Sequence, residues 1–224
     1  MDVRLSAGVF TYLDSGGDGV PTVLLHAMGR SAADWQPVFD RAPSRFRLLA
    51  LDSRGHGGSC RPSTYSFEAM RDDVSEFADA LGLDRFHLVG HSMGATTAIL
   101  FAERFPERIH HLVLEDTPPP SGTEEIPAPP DQPDAPVEFD WPLIGAIVNQ
   151  LNSPDPAWWS ELGSIASPTL IVAGCADSFI DQEELAETAR RISDARLVTI
   201  AAGHHIHSTR PDDFVAEVFE FLSG

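Results

Sequence analysis

Apolar residues recur along this chain with two periods. Near the N-terminus they alternate with polar ones, at Val3, Leu5, Phe10 and Tyr12 with Gly8 between, which predicts a short antiparallel hairpin at a sheet edge. Further on they gather into short near-continuous runs: Pro21 to Leu25, Phe46 to Leu51, Phe86 to Val89, Leu112 to Leu114, Thr169 to Ala173 and Arg196 to Ile200. Such runs predict strands buried on both faces. Between them the spacing becomes helical. One helix begins near Ser31 or Ala33 and carries Trp35 and Phe39. A second follows Ser66, an N-cap residue, places Met70, Val74, Phe77, Ala78 and Leu81 on one face, and stops at Gly82. Others run from Ala95 to Arg104, from Asp181 or Gln182 to Ile192, and from Pro211 through Phe214, Val218, Phe219 and Leu222. Strands alternating with helices predict an α/β fold, a mostly parallel open sheet with helices on both faces.

One stretch breaks the alternation. Eight of the 18 prolines fall between Pro118 and Pro136, among Glu124, Glu125, Asp131 and Asp134. Proline lacks an N–H and carboxylates stay solvated, so this stretch is expected to form no regular helix and to bury little. Helical spacing returns from Phe139 to Leu151 through Trp141, Ile144, Ile147 and Val148, and a second short helix is expected at Trp158 and Trp159. The chain therefore divides into one core domain, residues 1–117 and 167–224, and an insert of residues 118–166.

Composition narrows the partners. The net charge is −19, from 34 acidic and 15 basic residues, so few cations are available to neutralise phosphates. That argues against nucleic acid and against an anionic membrane surface, and says little about the small-molecule substrate expected on other grounds. Met1-Asp2-Val3-Arg4-Leu5 lacks the charged-then-apolar pattern of a signal segment, and no apolar run approaches the length of a membrane span. Two cysteines far apart, Cys60 and Cys175, make neither a disulfide framework nor a zinc site and read as free thiols in a reducing compartment. A cytoplasmic enzyme is expected. With no metal-ligand spacing and no phosphate loop, neither metal nor cofactor is expected.

The chemistry centres on Gly90-His91-Ser92-Met93-Gly94, which follows the run Phe86 to Val89 and opens the helix from Ala95. A strand, a tight turn and a helix are the context in which G-x-S-x-G is informative. The glycines permit a reversal too sharp for side chains, the serine sits exposed on a strained turn, and the new helix turns free N–H groups toward any oxyanion forming there. A serine hydroxyl needs a base, and the base needs an orienting partner. In an open α/β sheet reactive groups gather at the carboxyl ends of strands. Ser92, Asp177 and His204 each follow a predicted strand, in the chain order that belongs to this elbow. Asp116 also follows one and competes with Asp177; it is read as a structural turn residue. His205 and His207 crowd His204, which follows Gly203 directly.

These features together resemble the α/β-hydrolase fold over about residues 8–223. Five stretches in order carry the resemblance: His26-Ala27-Met28-Gly29, Asp52-Ser53-Arg54-Gly55-His56-Gly57-Gly58-Ser59, the elbow, Gly174-Cys175-Ala176-Asp177, and Gly203-His204 with Pro211. The family usually has His-Gly where this chain has His26-Ala27. The resemblance implies Ser92 as nucleophile, His204 as general base and acid, Asp177 as orienting carboxylate, and an oxyanion hole from the backbone N–H groups of Met28 and Met93. It makes residues 118–166 a short, reduced lid, with His26, His91, Trp141, Trp158 and Trp159 as candidates to line a substrate pocket. His26 and His56 are alternatively loop-holding residues, and Asp52 is expected to pair with Arg54.

A serine at the elbow, where dehalogenases and epoxide hydrolases of this fold carry a carboxylate, implies acyl transfer to water. The leading expectation is hydrolysis of an ester, lactone or thioester of a small or medium acyl compound. Hydrolysis of a C–C bond, or a lyase or cyclase step on the same triad, is the alternative. A non-catalytic binding protein on the same scaffold is a third, opposed by the intact Ser92, Asp177 and His204.

Overall fold

The apolar runs and the N-terminal hairpin join in one sheet of eight strands: β1 Asp2–Leu5, β2 Gly8–Asp14, β3 Val20–Leu25, β4 Phe46–Leu51, β5 Phe86–His91, β6 Ile109–Glu115, β7 Thr169–Ala173 and β8 Ala195–Thr199. Their order across the sheet is β1-β2-β4-β3-β5-β6-β7-β8. The β1–β2 and β2–β4 pairs are antiparallel and the other five are parallel. The helices are α1 Gln36–Phe39, α2 Phe67–Ala80, α3 Met93–Arg104, α4 Trp141–Asn152, α5 Ala157–Ser160, α6 Gln182–Arg191, α7 Ile206–Thr209 and α8 Pro211–Phe221. The computed structural model describes residues 1–123 and 125–224.

Near-continuous apolar strands arise here because both sheet faces are covered. Leu25, Leu49, Leu51, Leu88, Leu114 and Ile171 pack to one side, against Phe67, Met70, Val74 and Phe77 of α2 and Ile99 of α3. Their neighbours Leu24, Leu48, Ala50, Val89, Val113 and Leu170 pack to the other, against Trp35 and against Phe214 and Val218 of α8. The period-two alternation of strand side chains thus feeds two cores at once. Ser66 caps α2, its Oγ accepting from Ala69 N–H at 3.1 Å.

Between β6 and β7 the chain leaves the sheet. Residues 125–138 are exposed at every position but Pro129 and Val137, as the proline and carboxylate content predicts. The start of the stretch departs from that expectation, because Pro118 and Pro119 are buried. The insert is then tied to the core by α4, whose Leu143, Ile147 and Val148 are buried. Gln150 at the end of α4 accepts from Phe67 N–H at 2.8 Å, satisfying one of the free donors at the start of α2.

Candidate active site

The end of β5 has the strained geometry that the pentapeptide predicts. Ser92 takes φ 53° and ψ −120°, and α3 starts at the next residue. Such a conformation costs a non-glycine residue on the order of 1–3 kcal/mol and persists only where its surroundings hold it. They do so here by contact. A Cβ on Gly90 would lie 2.5 Å from Gly94 O, and one on Gly94 would lie 2.2 Å from Leu25 O, so any larger residue would push strand and helix apart. Met93 opens α3, so its N–H has no intrahelical acceptor.

The loop after β3 is held by two histidines. Ser53 N–H donates to His26 Nε2 at 3.0 Å, and His26 Nδ1–H donates to Ala27 O at 2.8 Å. Gly29 N–H donates to His56 Nε2 at 3.1 Å, and His56 Nδ1–H donates to Arg54 O at 3.1 Å. Both rings must be neutral to accept at Nε2, and burial lowers both, His56 to about 3. The left-handed position in this loop is Gly29, φ 74°, and not Ala27, so alanine is accommodated where the family has glycine. Asp52 does not pair with Arg54. It accepts from Thr11 Oγ1 at 2.5 Å and Ala32 N–H at 2.7 Å, while Arg54 makes a buried two-pronged pair with Asp73 at 2.5 and 2.6 Å.

His204, in the loop after β8, meets a carboxylate, and it is Asp116. Nδ1 lies 2.9 Å from Asp116 Oδ2. Asp116 directly follows β6, is fully buried and takes φ 45°. That left-handed turn directs its side chain across the strand ends toward the β7 and β8 loops. There Oδ1 accepts Gly174 N–H at 2.7 Å, and Oδ2 also accepts the Ser178 hydroxyl. Asp177, expected in this role, is exposed. It closes the short turn Cys175–Asp177, and the positive φ of 67° at Cys175 carries its side chain outward. Its backbone and Cβ pass the histidine loop, where a Cβ on Gly203 would lie 3.2 Å from Asp177 O and 3.9 Å from Asp177 Cβ, but its carboxylate makes no hydrogen bond to His204 among the described residues. The sequence holds the signal for Asp116, a polar residue ending a strand just as Ser92 does. What it does not show is which of two such residues turns inward.

Beneath His204 lies a buried charged cluster. His91 Nε2–H donates to His204 O at 2.9 Å, fixing the loop backbone, and burial lowers His91 to about 4. His207 Nδ1 lies 2.8 Å from Glu115 Oε2, and its Nε2 is 3.4 Å from Asp34 Oδ2. Burial works against a charged His207, but the Glu115 carboxylate and its contact with Asp34 override this and raise it to about 10. Burial would likewise raise Glu115, and the charge and hydrogen bonds of His207 hold it at about 2. Ligand atoms of His91, Glu115 and His207 lie within 4.8 Å of one another, a spacing a metal ion could use.

Above Ser92 opens a cavity of about 530 Å³. Met28 and Met93 line it beside Ser92. One wall is the segment from Thr117 to Thr123, and the other runs from Phe179 to Glu184. Phe179 is 79% exposed and packs on the His204 ring at 4.5 Å between centroids. None of His26, His91, Trp141, Trp158 and Trp159 lines the cavity among the described residues. His26 and His91 are consumed holding loops. Trp158 turns into the core edge-on to Phe67, and Trp141 stacks on Phe139. Trp159 donates its Nε1–H to Pro120 O at 3.1 Å, behind the proline wall. The prolines that composition suggested would bury little are therefore the wall itself, rigid without needing N–H partners.

A family model described as alpha/beta hydrolase fold matches residues 20–140. The Caulobacter sp. (strain K31) protein that carries the name carbamate hydrolase RutD is 30% identical over 91% of this chain and 91% of its own length. A 2-hydroxy-6-oxo-2,4-heptadienoate hydrolase of Pseudomonas putida is 37% identical over 49% of this chain and 42% of its own. Among solved structures, the enol-lactonase from Burkholderia xenovorans LB400 superposes over the whole of both chains with a TM-score of 0.84 at 24% identity, a likeness of fold. No helix of the described residues is long and apolar enough to cross a membrane. By the extent of the family match and of the full-length relative, this chain is an enzyme of the alpha/beta hydrolase fold family.

Proposed function

We propose that the protein is a serine hydrolase of an ester, lactone or thioester of a small or medium acyl compound. Ser92 is the nucleophile, His204 the general base and then acid, and Asp116, in place of Asp177, the orienting carboxylate. The observation that carries this reading is the Asp116–His204 contact of 2.9 Å, fully buried on the carboxylate side, at the same carboxyl end of the strands as the strained Ser92. With Nδ1–H held by Asp116, the lone pair of His204 sits on Nε2, where it can take the Ser92 proton as the hydroxyl attacks the acyl carbon. The alcohol or thiol leaves with that proton, and water attacks the acyl-enzyme by the same route. The N–H groups of Met28 and Met93 receive the charge that develops on the carbonyl oxygen, at little reorganisation cost.

Residues 118–166 act as a short cap whose proline segment, rather than its tryptophans, bounds the acyl site. The two free thiols, Cys60 and Cys175, fit a reducing compartment such as the cytoplasm. The Pseudomonas putida relative favours C–C bond hydrolysis as a second reading on the same triad. A fluorophosphonate probe tests the first step. Ser92 should be labelled in the wild type and labelling lost in Ser92→Ala; labelling elsewhere, or none, would overturn the nucleophile. A panel of p-nitrophenyl esters, lactones, thioesters and carbamates then separates acyl transfer from C–C cleavage. Turnover of a vinylogous diketone with none of any ester would favour the second reading.

A further inference from the structure

Resting on the serine-hydrolase reading, we propose that the site selects uncharged or cationic acyl substrates and rejects those carrying a carboxylate, with Glu184 and Asp181 as the selecting residues. The cavity that opens over Ser92 is lined by apolar surface from Met28, Phe67, Ile147 and Leu151. Among the described residues its ionisable lining groups are Asp181 and Glu184 alone, both acidic. The sequence contains no lysine at all, so every one of the 15 basic residues is an arginine.

Two arginines on this face, Arg190 and Arg191, are already committed. Arg190 pairs with Glu183 and Glu187, each at 2.8 Å. Arg191 pairs with Glu187 at 2.7 Å and lies over the Trp159 ring at 5.0 Å. Neither forms an ion pair with Asp181 or Glu184 among the described residues. Asp181 spends one oxygen on Glu183 N–H at 2.8 Å, capping α6, which offsets part of its charge. Glu184 is half-buried at the wall with no such bond to its carboxylate among the described residues, so it is the stronger of the two. A second groove shares Ser121, Asp181 and Glu184 with the cavity and continues past Glu183, Glu187, Arg190 and Arg191, four carboxylates against two guanidinium groups. A substrate extending beyond the acyl site therefore runs along an acidic face.

A carboxylate brought within a few ångströms of these groups meets a repulsion, and Arg190 and Arg191 are held by Glu183 and Glu187. One uncompensated charge pair at the edge of a cavity corresponds to a rate penalty of about tenfold. An ammonium group meets the opposite sign.

The test compares p-nitrophenyl pentanoate with mono-p-nitrophenyl glutarate and with the p-nitrophenyl ester of 4-trimethylammoniobutyrate. The readout is the ratio of kcat/KM for each charged ester to that for the neutral one. In the wild type the glutarate ratio should be about tenfold below one or lower, and the ammonium ratio near or above one. Glu184→Gln, alone and with Asp181→Asn, should raise the glutarate ratio about tenfold. The net charge of −19 could repel anions from a distance, so Glu107→Gln with Glu220→Gln, two exposed carboxylates far from the cavity, serves as control. It should leave the ratio at the wild-type value. Equal turnover of the glutarate and pentanoate esters, an unchanged ratio in Glu184→Gln, or an equal change in the control would each overturn the proposal. Failure of the wild type to cleave any of the three esters would instead overturn the serine-hydrolase reading on which it rests.

Discussion

The loops after β6 and β7 begin alike, each with a short apolar strand and an aspartate within a few residues of its end, yet they treat the two carboxylates oppositely. Asp116 is fully buried, and its side chain is met by the N–H of Gly174, the hydroxyl of Ser178 and the ring of His204. Asp177 stands in solvent. A carboxylate taken out of water must find donors, and once it has them it holds those donors in place. A solvated carboxylate exerts a screened and poorly directed force on a neighbouring imidazole. The β7 loop thus contributes no carboxylate to His204. It contributes two donors that hold the carboxylate from β6.

The contrast can be broken most directly at the two aspartates. Asp116→Asn should cut kcat by on the order of 10³–10⁴-fold, because the amide offers the wrong partner to His204 Nδ1–H. Asp177→Asn should change it by less than about threefold. The reverse ranking, measured on one ester with both proteins folded by circular dichroism, would return the role to the β7 loop.

Gly174→Ala attacks the same arrangement from the backbone. A Cβ there would lie 2.1 Å from Gly203 O and 3.2 Å from the Asp116 carboxyl carbon, so the His204 loop must move. Turnover should fall by on the order of 10²-fold, the cost of a misplacement of about 1 Å. Melting should fall too; an unaltered melting curve with normal turnover would show that the loops yield freely.

Ser178→Ala removes one of the three donors and leaves the others. A loss of about tenfold in kcat is expected from one hydrogen bond to a charged group, with KM little changed. An equal loss in Asp177→Asn would erase the distinction between the two loops.

The gentlest probe is the second anchor that the end of β6 has and that of β7 lacks, the Glu115–His207 pair. A histidine raised to about 10 in the folded protein stabilises it fully below its unfolded value of about 6.5, and that contribution is lost as pH rises through 10. Wild-type melting temperature should therefore decline across this window. His207→Gln should melt lower at neutral pH and show a flatter alkaline decline. Parallel curves for the two proteins would mean that His207 is not held charged.

Much of the fold and of the site is legible in residue types and their spacing. Gly90 and Gly94 announce the reversal because no other residue fits it, and the near-continuous apolar runs of β3 to β7 announce burial on both faces. Two things are not legible there. The choice between Asp116 and Asp177 depends on backbone dihedrals, φ 45° at Asp116 and φ 67° at Cys175, that residue type does not dictate outside glycine. The proline wall is hidden because composition describes a stretch as a whole. Pro118 and Pro119 are buried while the prolines after Ile126 are mostly exposed. Three tryptophans suggest a pocket wall because aromatic side chains suit either a pocket or a core, and Trp158 belongs to the core.

The exposed run of residues 125–138 also sets where the chain could be parted. Everything before it holds Ser92 and Asp116, and everything after it holds His204, 88 residues beyond its carboxylate. The two portions meet along the β6–β7 ladder, where Leu112 to Glu115 pair with Thr169 to Val172. Expressed as separate fragments divided between Pro127 and Pro136, each would be catalytically silent on the serine-hydrolase reading. Turnover would then return only with reassociation, making the hydrolase a reporter of its own strand exchange and a candidate for fragment complementation.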